Sequence, residues 1–275
     1  VVEAVGQGVT SIEVGSRATA TPQIVCRKCD PCRRGDYHIC DHLKVQGFQA
    51  PGVAQDLFVT PAEKIVPLPL SFTHEQGALV EPVSDAVHAT RRAGDMNGKN
   101  VVVLGAGPIG NLVAQMSRAR GAKVLITDTS TFRLEIAREC GIEAVSDAGS
   151  ESLRDASQRA FGGDGFDIAF DCAGVQETID AAVDAVNKGG TIVAVAVYEE
   201  KPRVDMAVVG DRELSIVGTL MYQHDDYEEA VRRIASGDIV TAPLESKHFP
   251  FEQYASAYKY IDQQGEKTMK VFIDL

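Results

Sequence analysis

The sequence predicts an α/β fold in which a doubly wound parallel sheet is joined to a β-rich segment, and three observations carry that prediction. Between Asn100 and Gly218, near-continuous apolar runs alternate with helical stretches, the pattern of a parallel sheet covered on both faces. Gly105, Gly107 and Gly110 form GxGxxG directly after the apolar run Val101–Leu104. Ahead of them, residues 1 to about 70 hold short β-type runs and a cluster of four cysteines.

Taken in order, Val1 to Val5, Gly52 to Val59 and Lys64 to Pro67 read as strands, separated by Gly, Pro and the cysteine cluster and showing no helical period. From Thr73 to Arg92, residues Val83, Ala86, Val87 and Thr90 recur at helical spacing, with Pro82 read as a first-turn residue. Strands follow at Asn100 to Gly105, Lys123 to Asp128, Phe166 to Asp171, Gly190 to Tyr198 and Glu213 to Gly218. Helices are expected between them at Pro108 to Arg120, Thr131 to Cys140 and Gln176 to Asn187. The tail adds helices near Asp225 to Ser236 and Phe251 to Gln263 and a strand at Thr268 to Asp274. No internal repeat or low-complexity linker interrupts this order.

Composition excludes several classes of function. The chain of 275 residues and 29.5 kDa is long enough for a substantial apolar core. Its 27 Lys and Arg against 39 Asp and Glu give a net charge of −12, and no segment concentrates enough cations to neutralise a phosphate backbone. Nucleic acid and anionic membranes are therefore not expected partners. The longest apolar runs, such as Ile192 to Val197, are far too short to span a bilayer, and no signal peptide is visible. A soluble, cytoplasmic protein is expected. The first residue is Val1 rather than Met, so a segment upstream of it is also expected.

The glycine motif and its context point to a dinucleotide. Gly105 permits a tight turn, Gly107 lets the backbone approach a pyrophosphate, and Gly110 lets helix and strand pack closely. Pro108 and Ile109 open a helix whose N-terminus faces the negative phosphates. Asp128 ends the next strand 18 residues after Gly110, close to the spacing of a ribose-binding acid. Such an acid favours NAD over NADP, although Arg133 nearby keeps NADP open. Strand–glycine–helix turns that bind no nucleotide are the competing reading.

Cys26, Cys29 and Cys32 are spaced by two residues each, and Cys40 follows after seven more. Two-residue gaps in a turning chain let thiolates converge on one ion, and four of them close a tetrahedral structural zinc site. An iron–sulfur cluster and free or disulfide-linked cysteines are the alternatives. His38, inside the loop, is read as solvent-exposed beside Tyr37. Cys140 and Cys172 are read as packed thiols and His88 as a packed helix histidine. Glu81, before Pro82, is by its residues alone a helix-terminal charge.

Together these motifs resemble the zinc-dependent medium-chain dehydrogenases, the alcohol and polyol dehydrogenase family, over essentially the whole chain. Val1 to Val9 is similar to the continuation of that family's zinc signature. Leu79-Val80-Glu81-Pro82, with His88-Ala89, resembles its polyol branch, which includes sorbitol (L-iditol), xylitol, threonine and butanediol dehydrogenases. The resemblance implies a Rossmann sheet plus a partial GroES-like β-rich catalytic domain. The expected division is catalytic domain 1–84, NAD-binding domain 85–222 and a return to the catalytic domain at 223–275. It also implies hydride transfer from a polyol or secondary alcohol to NAD, with Glu81 beside a catalytic zinc as ligand or as partner of its water. Lys270 corresponds to a basic residue near the cofactor pyrophosphate. The other catalytic ligands, a Cys and a His, are expected upstream of Val1, and a homodimer or homotetramer is expected by analogy. A threonine or 2,3-butanediol dehydrogenase, or an NAD- and zinc-binding chain without catalysis, are the alternatives.

Overall fold

A computed structural model describes all residues, 1–275. In chain order the N-terminal part contains β1 (Ala18–Ala20), β2 (Gln23–Ile24), α1 (Asp30–Arg34), β3 (Lys44–Val45) and β4 (Ile65–Pro67), followed by the long helix α2 (His74–Arg92). The central part runs β5 (Asn100–Leu104), α3 (Pro108–Ala119), β6 (Lys123–Asp128), α4 (Thr131–Glu139), β7 (Ala144–Asp147) and α5 (Leu153–Phe161). It continues through β8 (Ile168–Asp171), α6 (Gln176–Ala185), β9 (Thr191–Ala194), α7 (Met206–Asp211) and β10 (Ser215–Gly218). The tail comprises α8 (His224–Ala235), β11 (Glu245–Pro250), α9 (Tyr254–Gln264) and β12 (Lys270–Asp274). No helix is long and apolar enough to cross a membrane.

Six strands form one parallel sheet in the order β10-β9-β8-β5-β6-β7. Read from β5 as the first strand, this is the doubly wound order 3-2-1-4-5-6. The strand alternation decides which helices cover which face. Val101, Val103, Ile126 and Phe170 pack with Val83 and Val87 of α2, Leu112 and Met116 of α3 and Tyr227 of α8. Val102, Leu104, Leu125 and Ile192 pack on the other side with Ala156 of α5 and Ile179 and Val183 of α6. The strand order, not the chain direction, reverses between the parallel neighbours β5 and β8, so the crevice at their carboxyl ends lies between the turn at Gly105 and the loop after Asp171.

Three expectations for the N-terminal half are corrected. Val1 to Val5 and Gly52 to Val59 form no strand. Both runs have the side chains of a strand, but a strand needs a ladder partner, and Val1, Val53, Leu57 and Val59 stay exposed. Pro82 lies inside α2 and not in its first turn. The helix starts earlier because Thr73 and Gln76 form a capping box, Gln76 N–H donating to Thr73 Oγ1 at 3.1 Å and Thr73 N–H to Gln76 Oε1 at 3.0 Å. Pro82 has no N–H, so the Ala78 carbonyl loses its intrahelical donor. Glu81 is consequently a mid-helix residue. The boundary expected between 84 and 85 falls within this same helix.

Candidate functional site

The Gly105 turn is shaped by what its glycines exclude. Gly105 has φ +97°, and a Cβ there would lie 3.1 Å from the Ala173 nitrogen. A Cβ on Gly110 would stand 1.9 Å from the Gly105 carbonyl oxygen, so the first turn of α3 can close on β5 only at a glycine. A Cβ on Gly107 would meet only Arg133 Nη1, at 3.9 Å. Gly107 therefore borders space that a side chain would fill, in front of the N-terminal amides of α3 that Pro108 and Ile109 open.

Asp128 closes the crevice on one side. Its Oδ2 accepts from the Ala106 N–H at 2.6 Å and its Oδ1 from the Ser130 N–H at 2.8 Å. The carboxylate thus clamps the glycine turn and retains further lone pairs for a ligand. Arg133 Nη1 lies 3.9 Å from Asp128 Oδ2, while its buried Nε has no partner. A glycine cradle, a helix terminus, a carboxylate and an unpartnered guanidinium nitrogen make a set that a dinucleotide fits.

The four cysteines converge as their spacing predicts. Their ligand atoms all lie within 4.8 Å of one another, and Cys29 Sγ and Cys40 Sγ are 3.8 Å apart. A tetrahedron with zinc–sulfur bonds of about 2.3 Å has edges of about 3.8 Å. Backbone amides also aim at the sulfurs: Cys26 N–H and His42 N–H each donate to Cys40 Sγ at 3.3 Å. The Lys28 amide, more than any other group, draws the Cys26 thiol down to about 6. Burial and bonding to the neighbouring thiols push Cys32 up to about 12. Four thiolates at this spacing repel without a cation, and these donors fit a structural zinc ion.

A third centre, half-buried on α2, involves Glu81. Tyr222 is 1 % exposed and donates its hydroxyl to Glu81 Oε1 at 2.7 Å. Met221, in the left-handed region at φ +48°, turns the chain so that Tyr222 enters the core. Tyr227 packs edge-on against Tyr222 with ring centroids 5.0 Å apart, and its buried hydroxyl has no partner. One turn along the helix, burial and then the charge of Glu81 push the Asp85 carboxyl up to about 7, while Lys270 acts against this. Lys270 at the start of β12 thus lies close enough to α2 for its charge to act on Asp85. The cysteines are the one group of three or more metal-ligating side chains brought together. The residues around Glu81 do not by themselves make a metal centre.

His38 requires a correction. It is buried, not solvent-exposed, because the cysteine lobe docks against α2 and α8. Its ring lies edge-on to His88 at 4.6 Å, and its Nδ1 accepts from Gln223 Nε2 at 3.0 Å. Burial pushes the His38 imidazole below its usual value. The Tyr37 hydroxyl accepts from the His224 N–H at 2.6 Å. His88 is a packed helix histidine, with Nδ1 2.9 Å from Asp226 Oδ2. Asp226 also pairs with Arg91 at 2.6 Å. Cys140 is fully buried, with its thiol pushed up to about 11, and Cys172 packs against the core.

Sequence reasoning did not single out Asp85, Tyr227 or Asp226. Helical spacing from Glu81 is the signal that would have found Asp85. Nothing local marks the other two, since they meet α2 from more than 130 residues away.

Comparison with known proteins agrees with this architecture. Residues 108–236 match the family described as zinc-binding dehydrogenase, and residues 1–70 match the alcohol dehydrogenase GroES-like domain. Sorbitol dehydrogenase 2 of Saccharomyces cerevisiae is 34 % identical over 277 residues, covering 98 % of this chain and 78 % of that protein. A solved alcohol dehydrogenase of Escherichia coli CFT073, complexed with NADH, superposes with a TM-score of 0.90 at 25 % identity, covering 98 % of this chain and 80 % of that one. A chain of Sinorhizobium meliloti 1021 solved bound to NADP has a TM-score of 0.89 at 25 % identity, with the same coverage.

Proposed function

This chain belongs to the zinc-dependent medium-chain dehydrogenase family, and on that premise we propose that it transfers hydride between a polyol or secondary alcohol and NAD. The observation that carries the reading is Asp128, which ends β6 and holds the Ala106 amide of the glycine turn at 2.6 Å. An acid there accepts hydrogen bonds from the adenosine ribose hydroxyls and repels a 2′-phosphate. Gly107 and the α3 N-terminus receive the pyrophosphate. The likeness to a sorbitol dehydrogenase supports a polyol as the substrate class. The homo-oligomeric state and cytoplasmic location expected from the sequence complete this reading.

When bound, the nicotinamide supplies the hydride acceptor, and zinc at Cys26, Cys29, Cys32 and Cys40 supplies a cross-link in the lobe. The chain's own residues then have separable tasks. Glu81 sits half-buried on α2, and the Tyr222 hydroxyl that donates to it fixes the direction of its carboxylate. Asp85 is the neighbouring carboxyl able to hold a proton near neutral pH, and Lys270 offsets the local negative charge. We assign Glu81 to the metal side of the substrate pocket, as one carboxylate among the ligands that a catalytic zinc needs.

The test is NADH production from sorbitol, xylitol and 2,3-butanediol, with NAD and NADP compared by binding calorimetry. The expected result is turnover on a polyol with tighter binding of NAD. Tighter NADP binding would overturn the cofactor assignment and give Arg133 the role of a phosphate ligand. NADH binding without turnover on any alcohol would leave a dinucleotide-binding chain without catalysis.

A further inference from the structure

Asp171 is a buried charge that the proposed reaction does not use. It ends β8, is 0 % exposed, and receives four neutral donors. The Ala173 and Gly174 N–H groups donate to Oδ1 at 3.1 and 3.0 Å, the Thr178 hydroxyl donates at 3.0 Å, and the Tyr198 hydroxyl donates to Oδ2 at 2.6 Å. A buried carboxylate with no cation is tolerated only where its lone pairs are filled this way.

Those donors come from two different loops. Ala173, Gly174 and Thr178 belong to the loop after β8 and the start of α6, whereas Tyr198 lies in the loop after β9. The Asp171 carbonyl joins them again, accepting from the Val195 and Ala196 N–H groups at 3.0 and 2.9 Å. The two loops also touch closely: a Cβ on Gly174 would lie 2.8 Å from the Ala196 Cβ. On its other side the Ala173 nitrogen would meet a Cβ on Gly105 at 3.1 Å. One residue therefore ties the loops after β8 and β9 together, and the first of these loops abuts the Gly105 turn.

Their place in the sheet identifies what they face. Asp128 stands on the β5-β6-β7 half, where the adenosine is assigned, so the β8-β9-β10 half receives the other mononucleotide. Val197, 91 % exposed beside Tyr198, offers that half an apolar wall. We propose that Asp171, with Tyr198 and Thr178, is a positioning constellation that holds the loops after β8 and β9 against the nicotinamide half of the dinucleotide. This rests on the dinucleotide-binding reading above.

The test measures NADH and AMP affinity for the whole chain and for Tyr198→Phe and Asp171→Asn, with zinc content and thermal midpoint followed in parallel. AMP occupies only the adenosine half. Loss of a hydrogen bond to a charged acceptor is expected to weaken NADH binding by about tenfold in Tyr198→Phe and to change AMP binding by less than about twofold. Asp171→Asn is expected to lose more NADH affinity, and if it does not fold, Tyr198→Phe still decides. Equal losses of NADH and AMP affinity, or no loss of either, would overturn the positioning role alone. A parent chain that binds neither ligand would overturn the dinucleotide reading together with it.

Discussion

The central sheet and the cysteine lobe are held together by different physics. In the sheet, Val101, Val102, Val103, Leu125, Ile126 and Ile192 are all 0 % exposed, and β5, β6, β8 and β9 contribute side chains to a core on both faces. In residues 1–70, Cys40 and Val66 are the buried apolar residues; Thr21, Gln23 and His38 are the buried polar ones. Its four short strand pieces, β1 to β4, cover only two or three residues each. Apolar burial stabilises the sheet by about 25 cal/mol per Å² removed from water. The lobe has little such area, so its order depends on the thiol tetrad and on polar docking to α2 and α8. One region folds on its own surface, and the other is folded by a cross-link.

Removing the metal should separate the two most sharply. Binding at structural zinc sites of this type amounts to about 10 kcal/mol or more of folding free energy. Chelation, or Cys40→Ser, is therefore expected to open residues 26–45 to limited proteolysis while the sheet region keeps its cooperative thermal transition. Unchanged cleavage across the lobe after zinc removal would show that its polar contacts suffice and that the contrast is wrong.

The same contrast explains what could be read from the sequence. β6 matches its expected bounds, Lys123–Asp128, and α3 differs by one residue, because a buried strand and an amphipathic helix write their burial into local period. The short elements β1, β2, α1 and β3, and also β7, α5, α7 and β11, were not foreseen. β7 holds only Ala144–Asp147, with Val145 and Ser146 buried, and α5 is interrupted by polar residues, so neither shows a clear period. The glycines, Asp128 and the cysteines were legible because spacing alone specifies their geometry. Tyr222, Asp226 and Asp171 were not, since each acts through partners brought in by tertiary packing. His38 was misplaced for the same reason: a histidine in a polar loop reads as exposed until the lobe is seen to dock.

Asp226 lies where the two regions meet. It holds His88 and Arg91 of α2, accepts from the Gln223 N–H at 2.7 Å, and itself is 0 % exposed. Removing this buried carboxylate leaves the buried His88 ring without its partner, whereas Arg91, 37 % exposed, is solvated by water, so the cost is about 3 kcal/mol. Asp226→Ala should thus lower the thermal midpoint strongly and loosen the lobe even with zinc bound. A variant that loses stability but keeps normal protease resistance at the lobe would show that docking does not run through this residue.

On the sheet side, Gly110→Ala tests close packing without touching the lobe. Its Cβ would stand 1.9 Å from a backbone oxygen, an overlap that α3 can relieve only by moving off β5. Overpacking of this kind costs about 1–3 kcal/mol. NADH binding is expected to fall while zinc content stays unchanged, and intact NADH affinity would remove the reason given for this glycine.

The pH dependence should be read at Asp85. Its carboxyl, ordinarily near 3.8, is raised to about 7 by burial and by Glu81, so the folded chain holds a proton that the unfolded chain releases. Stability from this group is complete below about pH 4 and is lost as pH rises toward 7. Asp85→Asn carries no such titration and should gain about 1–2 kcal/mol over the parent near pH 8, with little difference at pH 4. A constant difference between the two across this range would mean that Asp85 ionises freely in the fold.

Tyr222→Phe should have the smallest effect on stability and still inform on function. The ring remains buried against Tyr227, and only the hydroxyl that donates to Glu81 is removed. Glu81 is half-buried, so water can replace part of the lost bond, and the cost should be about 1 kcal/mol. Neither the lobe nor the sheet depends on this bond, so protease resistance, zinc content and NADH affinity should all stay at parental values. A fall in turnover with those three unchanged would identify the bond as orienting Glu81 for the reaction. Turnover equal to the parent would reduce Tyr222 to a packing residue, and the direction of the Glu81 carboxylate would then have to come from α2 alone.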